Sequence, residues 1–228
     1  MEIKVILVEP LYQINLGYMA RVLKNFGINE INLVNPRCKY NGKEAVKYSK
    51  HAADLLKRVK VYKSIPQAAK GCDAVVGTTG LWYKSDKSFF NVYNPEDARK
   101  FLKDKKKIAL LVGRDDTGLS KEEMNMCDAS IFIPANKDYP VLNISHALAI
   151  VLYALSRDEM KRDYPMERYY VDEKAMSAIT RLFWMSIRDR KDIRYKKSVL
   201  MAFKHIINRA NPTKKELNAL AIGIARRK

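Results

Sequence analysis

The passage Lys107-Ile108-Ala109-Leu110-Leu111-Val112-Gly113-Arg114-Asp115-Asp116-Thr117-Gly118-Leu119-Ser120 carries the strongest structural signal in this 228-residue chain. The unbroken apolar run Ile108 to Val112 is the pattern of a strand covered on both faces, as in a parallel sheet. Gly113 follows at once, then a polar turn closed by Gly118. Ser120-Lys121-Glu122-Glu123 has the form of a capping box that opens a helix. A buried strand, a tight polar turn and a capped helix compose the ligand-bearing end of an open α/β sheet. The turn lacks the G-K-[ST] ending of a phosphate-binding loop, and it is not G-x-G-x-x-G.

The same alternation repeats on both sides. Val5-Ile6-Leu7-Val8, Ile31-Asn32-Leu33-Val34, residues 59–62, Ala74-Val75-Val76-Gly77 and residues 129–133 read as strands. Residues 16–26, stopping at Gly27, read as a helix, as do 43–58, 65–70 and 145–156. Alternating strands and helices predict an α/β domain with a mostly parallel sheet. After about residue 156 the strand pattern stops. Residues 175–187 and 195–208 read as helices, and a capping box Thr213…Glu216 opens a last one, with Leu217, Leu220, Ala221 and Ile224 on one stripe. The expected organisation is an α/β domain over 1–157, a linker over 158–171 and a helical extension over 172–228.

Charge narrows the partner. Lys and Arg number 43 against 25 Asp and Glu, a net +18. The stretch 157–228 alone holds 19 basic residues against 9 acidic ones. Such an excess opposes compaction and suits a polyanionic partner, nucleic acid first. An anionic membrane is the weaker choice, because no amphipathic helix has a clean cationic face. No apolar run reaches the 18 or so residues of a membrane span. The start Met1-Glu2-Ile3-Lys4-Val5 lacks the layout of a signal peptide. A soluble, cytoplasmic protein is expected. Cys38, Cys72 and Cys127 are odd in number and widely spaced, which reads as plain buried thiols. No metal-ligand constellation and no nucleophile–His–acid order is present.

Three further loops stand where predicted strands end. Asn15-Leu16-Gly17-Tyr18-Met19-Ala20-Arg21 places Asn15 as the N-cap of its helix, Gly17 where a backbone can approach closely, and Arg21 either as a phosphate-binding fork or as an ordinary surface residue. Gly77-Thr78-Thr79-Gly80 leaves room and hydroxyls for a ligand. The neighbouring Leu81-Trp82-Tyr83 and Phe89-Phe90 read as base-stacking groups or as loop packing. Ile133-Pro134 through Pro140-Val141-Leu142-Asn143-Ile144-Ser145-His146-Ala147 is a long polar loop with Asn143 or Ser145 capping the helix that follows, and with backbone groups able to read a purine edge. His146 reads first as a helix residue.

Taken in order, N-x-G-x-x-A-R, G-R-[ED]-x-x-G-L and I-P…L-N-[IV]-S-x-A make residues 1–155 resemble the SPOUT RNA methyltransferases. The similarity is strongest to the ribose 2′-O-methyltransferases of the TrmH/TrmJ branch, archaeal members above all, which carry a basic helical extension of the same kind. The resemblance implies an α/β knot fold with a C-terminal trefoil knot. It implies S-adenosylmethionine as methyl donor and no metal. It implies a homodimer whose site is completed across the interface, and no membrane. Carried over by motif, cofactor contacts fall on Thr78, Thr79, Gly80, Gly113, Ile133, Val141, Leu142 and Asn143. The reaction falls to Arg21 with Asn15, Asp115 and Asn143. A guanidinium stays protonated, so Arg21 is read as a phosphate clamp. The chain departs from the family pattern at Asp115, where glutamate is usual, and at Val141, where serine is usual. The implied activity is methyl transfer to a ribose 2′-hydroxyl of structured RNA, with tRNA as first candidate at an anticodon-loop position such as 32. The alternatives are an rRNA substrate or a knotted RNA-binding dimer without activity.

Overall fold

The computed structural model describes residues 1–80, 91–163 and 173–225. The expected stacking candidates Leu81, Trp82, Tyr83, Phe89 and Phe90 lie outside the described residues. Seven described strands form one sheet: β1 (Glu2–Val8), β2 (Asn32–Val34), β3 (Lys60–Tyr62), β4 (Ala74–Thr79), β5 (Asn91–Tyr93), β6 (Lys107–Val112) and β7 (Ala129–Phe132). The order across the sheet is β3-β2-β1-β6-β4-β7-β5. Every pairing between these strands is parallel. The central strands are the apolar ones, and Ile108 through Leu111 are fully buried. The α/β class read from the sequence is the class observed.

Helices cover both faces. On one side lie α1 (Gln13–Asn25), α2 (Lys43–Ser49), α3 (Ala53–Leu56), α5 (Pro95–Phe101) and α7 (Ile144–Asp163). Leu16, Met19, Leu23, Leu55, Leu102, Leu148 and Leu152 join Val5, Leu33 and Leu110 in its core. On the other side lie α4 (Ile65–Ala69) and α6 (Lys121–Met124), over Ile6, Val8, Ala109, Leu111 and Cys127. Burial pushes the Cys127 thiol up to about 12, and all three cysteines are free of disulfides.

Three readings need correction. The helix expected over 43–58 is broken, because Lys50 adopts φ +49° and a short 3-10 turn separates α2 from α3. No glycine or proline announces that break. The strand β5 and the helix α5 are additions to the expected elements; β5 is three residues long and none of them is fully buried, so it carries no apolar run. Asn94-Pro95 did hold a readable start, since the Asn94 side chain accepts from the Asp97 N–H at 2.8 Å. Asn15 is not the cap of α1: the helix opens three residues earlier, after Tyr12, without a side-chain cap.

The chain divides into two compact units, Met1–Asp163 and Tyr164–Lys228. Helix α7 runs past residue 157 to Asp163, so the expected linker begins inside a helix. Its remainder, 164–171, lies outside the described residues. The second unit contains α8 (Glu173–Ile187), α9 (Lys196–Ala210) and α10 (Lys214–Ala225). Met176, Ile179, Ile207 and Leu217 form its core. The rings of Phe183 and Phe203 stack at 4.0 Å. Of the expected α10 stripe, Leu217 is buried, whereas Leu220 is 41% exposed.

Candidate active site

The sheet order sets β6, β4 and β7 side by side. Because all three are parallel, the segments at their carboxyl ends meet, although they begin 20 to 33 residues apart in the sequence, after Thr79, Val112 and Phe132. They enclose a cavity of about 250 Å³. Thr78, Thr79, Gly80, Gly113, Asp115, Ile133, Val141 and Leu142 line it. Asn143 sits between two lining residues without lining the cavity itself, and neither Asn15 nor Arg21 lines it. Helix α7 adds Ile144, Ala147, Leu148 and Val151. In the sequence those four read only as the buried stripe of a helix.

The loop after β6 folds back on itself. Arg114 and Gly118 exchange two backbone hydrogen bonds, at 3.0 and 3.1 Å. Gly118 has φ +69°, a region that favours glycine. A Cβ on Gly113 would lie 2.2 Å from the Gly118 carbonyl carbon and 2.3 Å from the Leu119 nitrogen. Only a residue without a side chain permits this closure. The capping box at Ser120 is present: the Ser120 hydroxyl accepts from the Glu123 N–H at 3.2 Å, and the Glu123 carboxylate accepts from the Ser120 N–H at 2.7 Å.

Asp115 leaves this loop to meet the start of α1. One carboxylate oxygen accepts from the Leu11 N–H at 2.8 Å and the Tyr12 N–H at 3.3 Å. The other accepts from Asn15 Nδ2 at 2.6 Å. Asn15 Oδ1 in turn accepts from Asn143 Nδ2 at 3.1 Å. Asn143 Oδ1 caps α7 by accepting from the Ser145 N–H at 2.9 Å and from its hydroxyl at 2.7 Å. Of the two candidates the sequence offered as cap, Asn143 is therefore the one. Three loops that look unrelated in the sequence are tied through three amide and carboxylate side chains.

Arg114 makes a second tie. It holds Glu9, at the end of β1, through two hydrogen bonds of 3.1 and 3.0 Å, and Glu123 through two of 2.8 and 2.9 Å. The planar guanidinium suits two carboxylates at once. All three side chains are 15–18% exposed. The Arg114 hydrogen bonds hold both glutamates below their ordinary value, and those to Glu123 and Glu9 raise the Arg114 pKa further. Arg37 also pairs with Glu9. Glu9 itself adopts φ +47°. Glu9 has no signature in the sequence, because a strand-terminal glutamate before proline has no distinctive spacing.

Arg21 stands exposed on α1, its side chain without a hydrogen bond or ion pair to a described residue. Its helix packs closely on α2 at Gly17, where a Cβ would come 2.7 Å from the Ala45 carbonyl oxygen. The cavity walls are apolar at Ile131, Ile133, Leu142 and Leu148, and the backbone N–H groups of Val141 and Leu142 donate to no described residue. Apolar walls with a few open backbone groups are the chemistry of a site that grips a flat heterocycle. Asp115 and Asp116 belong to the same lining, with both Asp115 carboxylate oxygens engaged by Leu11, Tyr12 and Asn15. Among the described residues no three His, Cys, Asp or Glu side chains gather as metal ligands would.

Comparison with known proteins places this arrangement. The chain is 39% identical over 159 residues to a tRNA (cytidine-2'-O-)-methyltransferase TrmJ of Sulfolobus acidocaldarius; the match spans 69% of this chain and 66% of that protein. It is 34% identical over 221 residues to a protein of the same name from Methanocaldococcus jannaschii, covering 94% of each. In structure it superposes on TrmJ from Z. mobilis ZM4 with a TM-score of 0.71 at 20% identity, over 99% of this chain and 98% of that one. The SpoU rRNA Methylase family model matches residues 2–153. That span runs from β1 into α7 and takes in every loop around the cavity, and the chain belongs to the SpoU rRNA Methylase family.

Proposed function

We propose that this chain transfers a methyl group from S-adenosylmethionine to a ribose 2′-hydroxyl of tRNA, at an anticodon-loop nucleotide such as position 32. The observation that carries the reading is the convergence of the β4, β6 and β7 ends on one cavity, with Asn15, Asp115 and Asn143 joined beside it. The names of the archaeal relatives support the tRNA ribose as target, and the +18 charge suits an RNA.

The cavity fits the methyl donor in kind: apolar walls at Ile131, Ile133, Leu142 and Leu148 would hold the adenosine, and the open N–H groups of Val141 and Leu142 would serve its ring edge. When bound, S-adenosylmethionine supplies an electrophilic methyl, whose carbon–sulfur pair stays with sulfur as the carbon–oxygen bond forms. The ribose hydroxyl proton passes to water. The protein contributes position, which is worth most in such an in-line displacement. Asp115 fixes the start of α1 against the donor loop, and Asn143 fixes the start of α7. Arg21 cannot act as a base; it holds the phosphate next to the reacting sugar. Arg21 is exposed and lines no part of its own chain's cavity. That is what a homodimer would need, with each copy lending Arg21 to the other. In the same reading the segment after β7 threads the loop after β6 as a trefoil knot, and the enzyme works in the cytoplasm.

One observation favours a binding-only protein: Val141, 58% exposed, stands where the family pattern has serine. Two measurements decide. Calorimetry with S-adenosylmethionine is expected to show binding; none would favour the binding-only reading. Incubation of tRNA and rRNA transcripts with labelled donor, then digestion to nucleosides, is expected to yield a 2′-O-methyl nucleoside from tRNA. A base-methylated product, or label in rRNA alone, would overturn the assignment.

A further inference from the structure

The segment after β7 leaves the cavity lining at Ile133 and rejoins it at Pro140 and Val141. Residues 134–139 between them line no part of the cavity, and all are exposed. Tyr139 is the only aromatic of this stretch. With 82% of its surface in water, it is the barest large apolar or aromatic side chain among the described residues.

The backbone beneath the ring is held. The Asn136 carbonyl accepts from the Tyr139 N–H at 3.1 Å, and the Asn136 side-chain oxygen accepts from the Asp138 N–H at 3.0 Å. Pro140 follows and restricts Tyr139 to extended backbone. The Tyr139 ring stacks on no described ring, and its hydroxyl bonds to no described residue. A single exposed ring is ordinary on a protein surface; its place is what matters here. Tyr139 is two residues from Val141, a span of at most about 7 Å, so the ring stands at the rim of the cavity. Lys137 and Asp138 offset each other beside it, and the face of the ring is therefore what this stretch offers a ligand. A ribose can bring its 2′-hydroxyl into the cavity only when its nucleotide leaves the stack of the RNA loop, and the freed base then needs another surface. Unstacked bases of single-stranded RNA settle on aromatic side chains.

We propose that Tyr139 is a substrate-binding residue, whose ring stacks on the base of the nucleotide that is methylated. This role rests on the RNA-substrate reading and adds to it the contact that holds the base. Every base has a π face, so the contact favours an unstacked nucleotide without selecting one base.

The test uses the full-length protein, the variants Tyr139→Ala and Tyr139→Phe, and two tRNA transcripts. One transcript is intact; the other has an abasic ribonucleotide, which keeps its 2′-hydroxyl, at the position that the wild type methylates. The side chain is exposed, so both variants are expected to fold. On the intact transcript Tyr139→Ala is expected to raise the KM for tRNA about tenfold, with kcat changed less than about threefold. Tyr139→Phe keeps the π face and stays within about twofold of the wild type. On the abasic transcript the wild type and Tyr139→Ala behave alike, because the ring has lost its partner and the two defects do not add. The slope of log affinity against log salt is the same in all three proteins, since no phosphate contact is removed.

An unchanged KM in Tyr139→Ala would overturn the proposal, and so would a loss that persists on the abasic transcript. Weaker S-adenosylmethionine binding in calorimetry would make the ring part of the donor pocket instead. A lower molecular mass in solution would make it a contact between copies. Either result overturns the proposal. Failure of the wild type to methylate any tRNA is a different result: it defeats the RNA-substrate reading itself, and the role of Tyr139 with it.

Discussion

Asn15 Nδ2 lies 2.6 Å from Asp115 Oδ1, although a hundred residues separate the two in the chain. The bond fixes the first turn of α1, which carries Arg21, against the loop that lines the donor cavity. A change on one side of the site is therefore felt on the other.

Asp115→Ala removes the acceptor of two backbone N–H groups and of Asn15. A loss of about 1–3 kcal/mol in unfolding free energy is expected, since a part-buried donor is left unpaired. Methyl transfer should fall at least about tenfold as α1 loosens. Asp115→Glu restores the side chain usual in the family, but contacts of 2.6–2.8 Å leave no slack for another methylene, so an intermediate loss is expected. Urea unfolding and single-turnover methylation measure the two effects. A fully active Asp115→Ala enzyme would remove this residue from the site.

Arg114→Met strands Glu123 and leaves Glu9 to Arg37 alone. Breaking a fully buried pair costs about 3–5 kcal/mol; with 15–18% of each side chain in water, a loss of about 2–3 kcal/mol is expected. The pH dependence is more diagnostic. Arg114 holds both glutamates below their ordinary 4.5. The folded state thus gains stability that is fully present above about pH 4.5 and disappears as pH falls through the lower folded values. Unfolding followed between about pH 7 and pH 3 should show a steep acid loss in the wild type and a flatter one in the variant. Equal slopes would mean that the clamp carries little of the acid sensitivity.

Gly113→Ala drives a methyl group into the Gly118 carbonyl carbon and the Leu119 nitrogen. Neither can move without opening the Arg114–Gly118 pair. A cost of about 3 kcal/mol is expected, at the upper end for overpacking, together with loss of measurable donor binding in calorimetry. Gly27→Ala offers a contrast: nothing lies near its added Cβ, and only its φ of +72° opposes the change.

Much of this was legible before any coordinates. The β6 strand over Lys107–Val112 and the Ser120 capping box appear where the apolar run and the S-x-x-E spacing put them. Local rules are enough for such features, because their causes lie within a few residues. Asn15 has the spacing of a cap to the apolar stripe, while its real partners are Asp115 and Asn143 on distant loops. The Arg114–Glu9 pair, 105 residues apart, left no pattern at all. Lys50 breaks its helix at a positive φ with no residue type to mark it. Contacts made only by the sheet order cannot be read from neighbours in sequence.

Arg21→Ala tests the division of labour. Donor affinity should change less than about twofold, whereas methyl transfer should fall about a hundredfold, the scale expected when a positioning contact is lost. Mixing then shows whose Arg21 serves which cavity. Leu142→Trp blocks the cavity of its own chain and is expected to be inactive. If each site takes its cavity from one copy and Arg21 from the other, a mixed dimer of the two inactive variants has one site with both defects and one with neither. Random exchange puts half of the dimers in that mixed form, so about a quarter of wild-type activity should return. If each chain used its own Arg21, every site in the mixture would carry one defect and no activity would reappear.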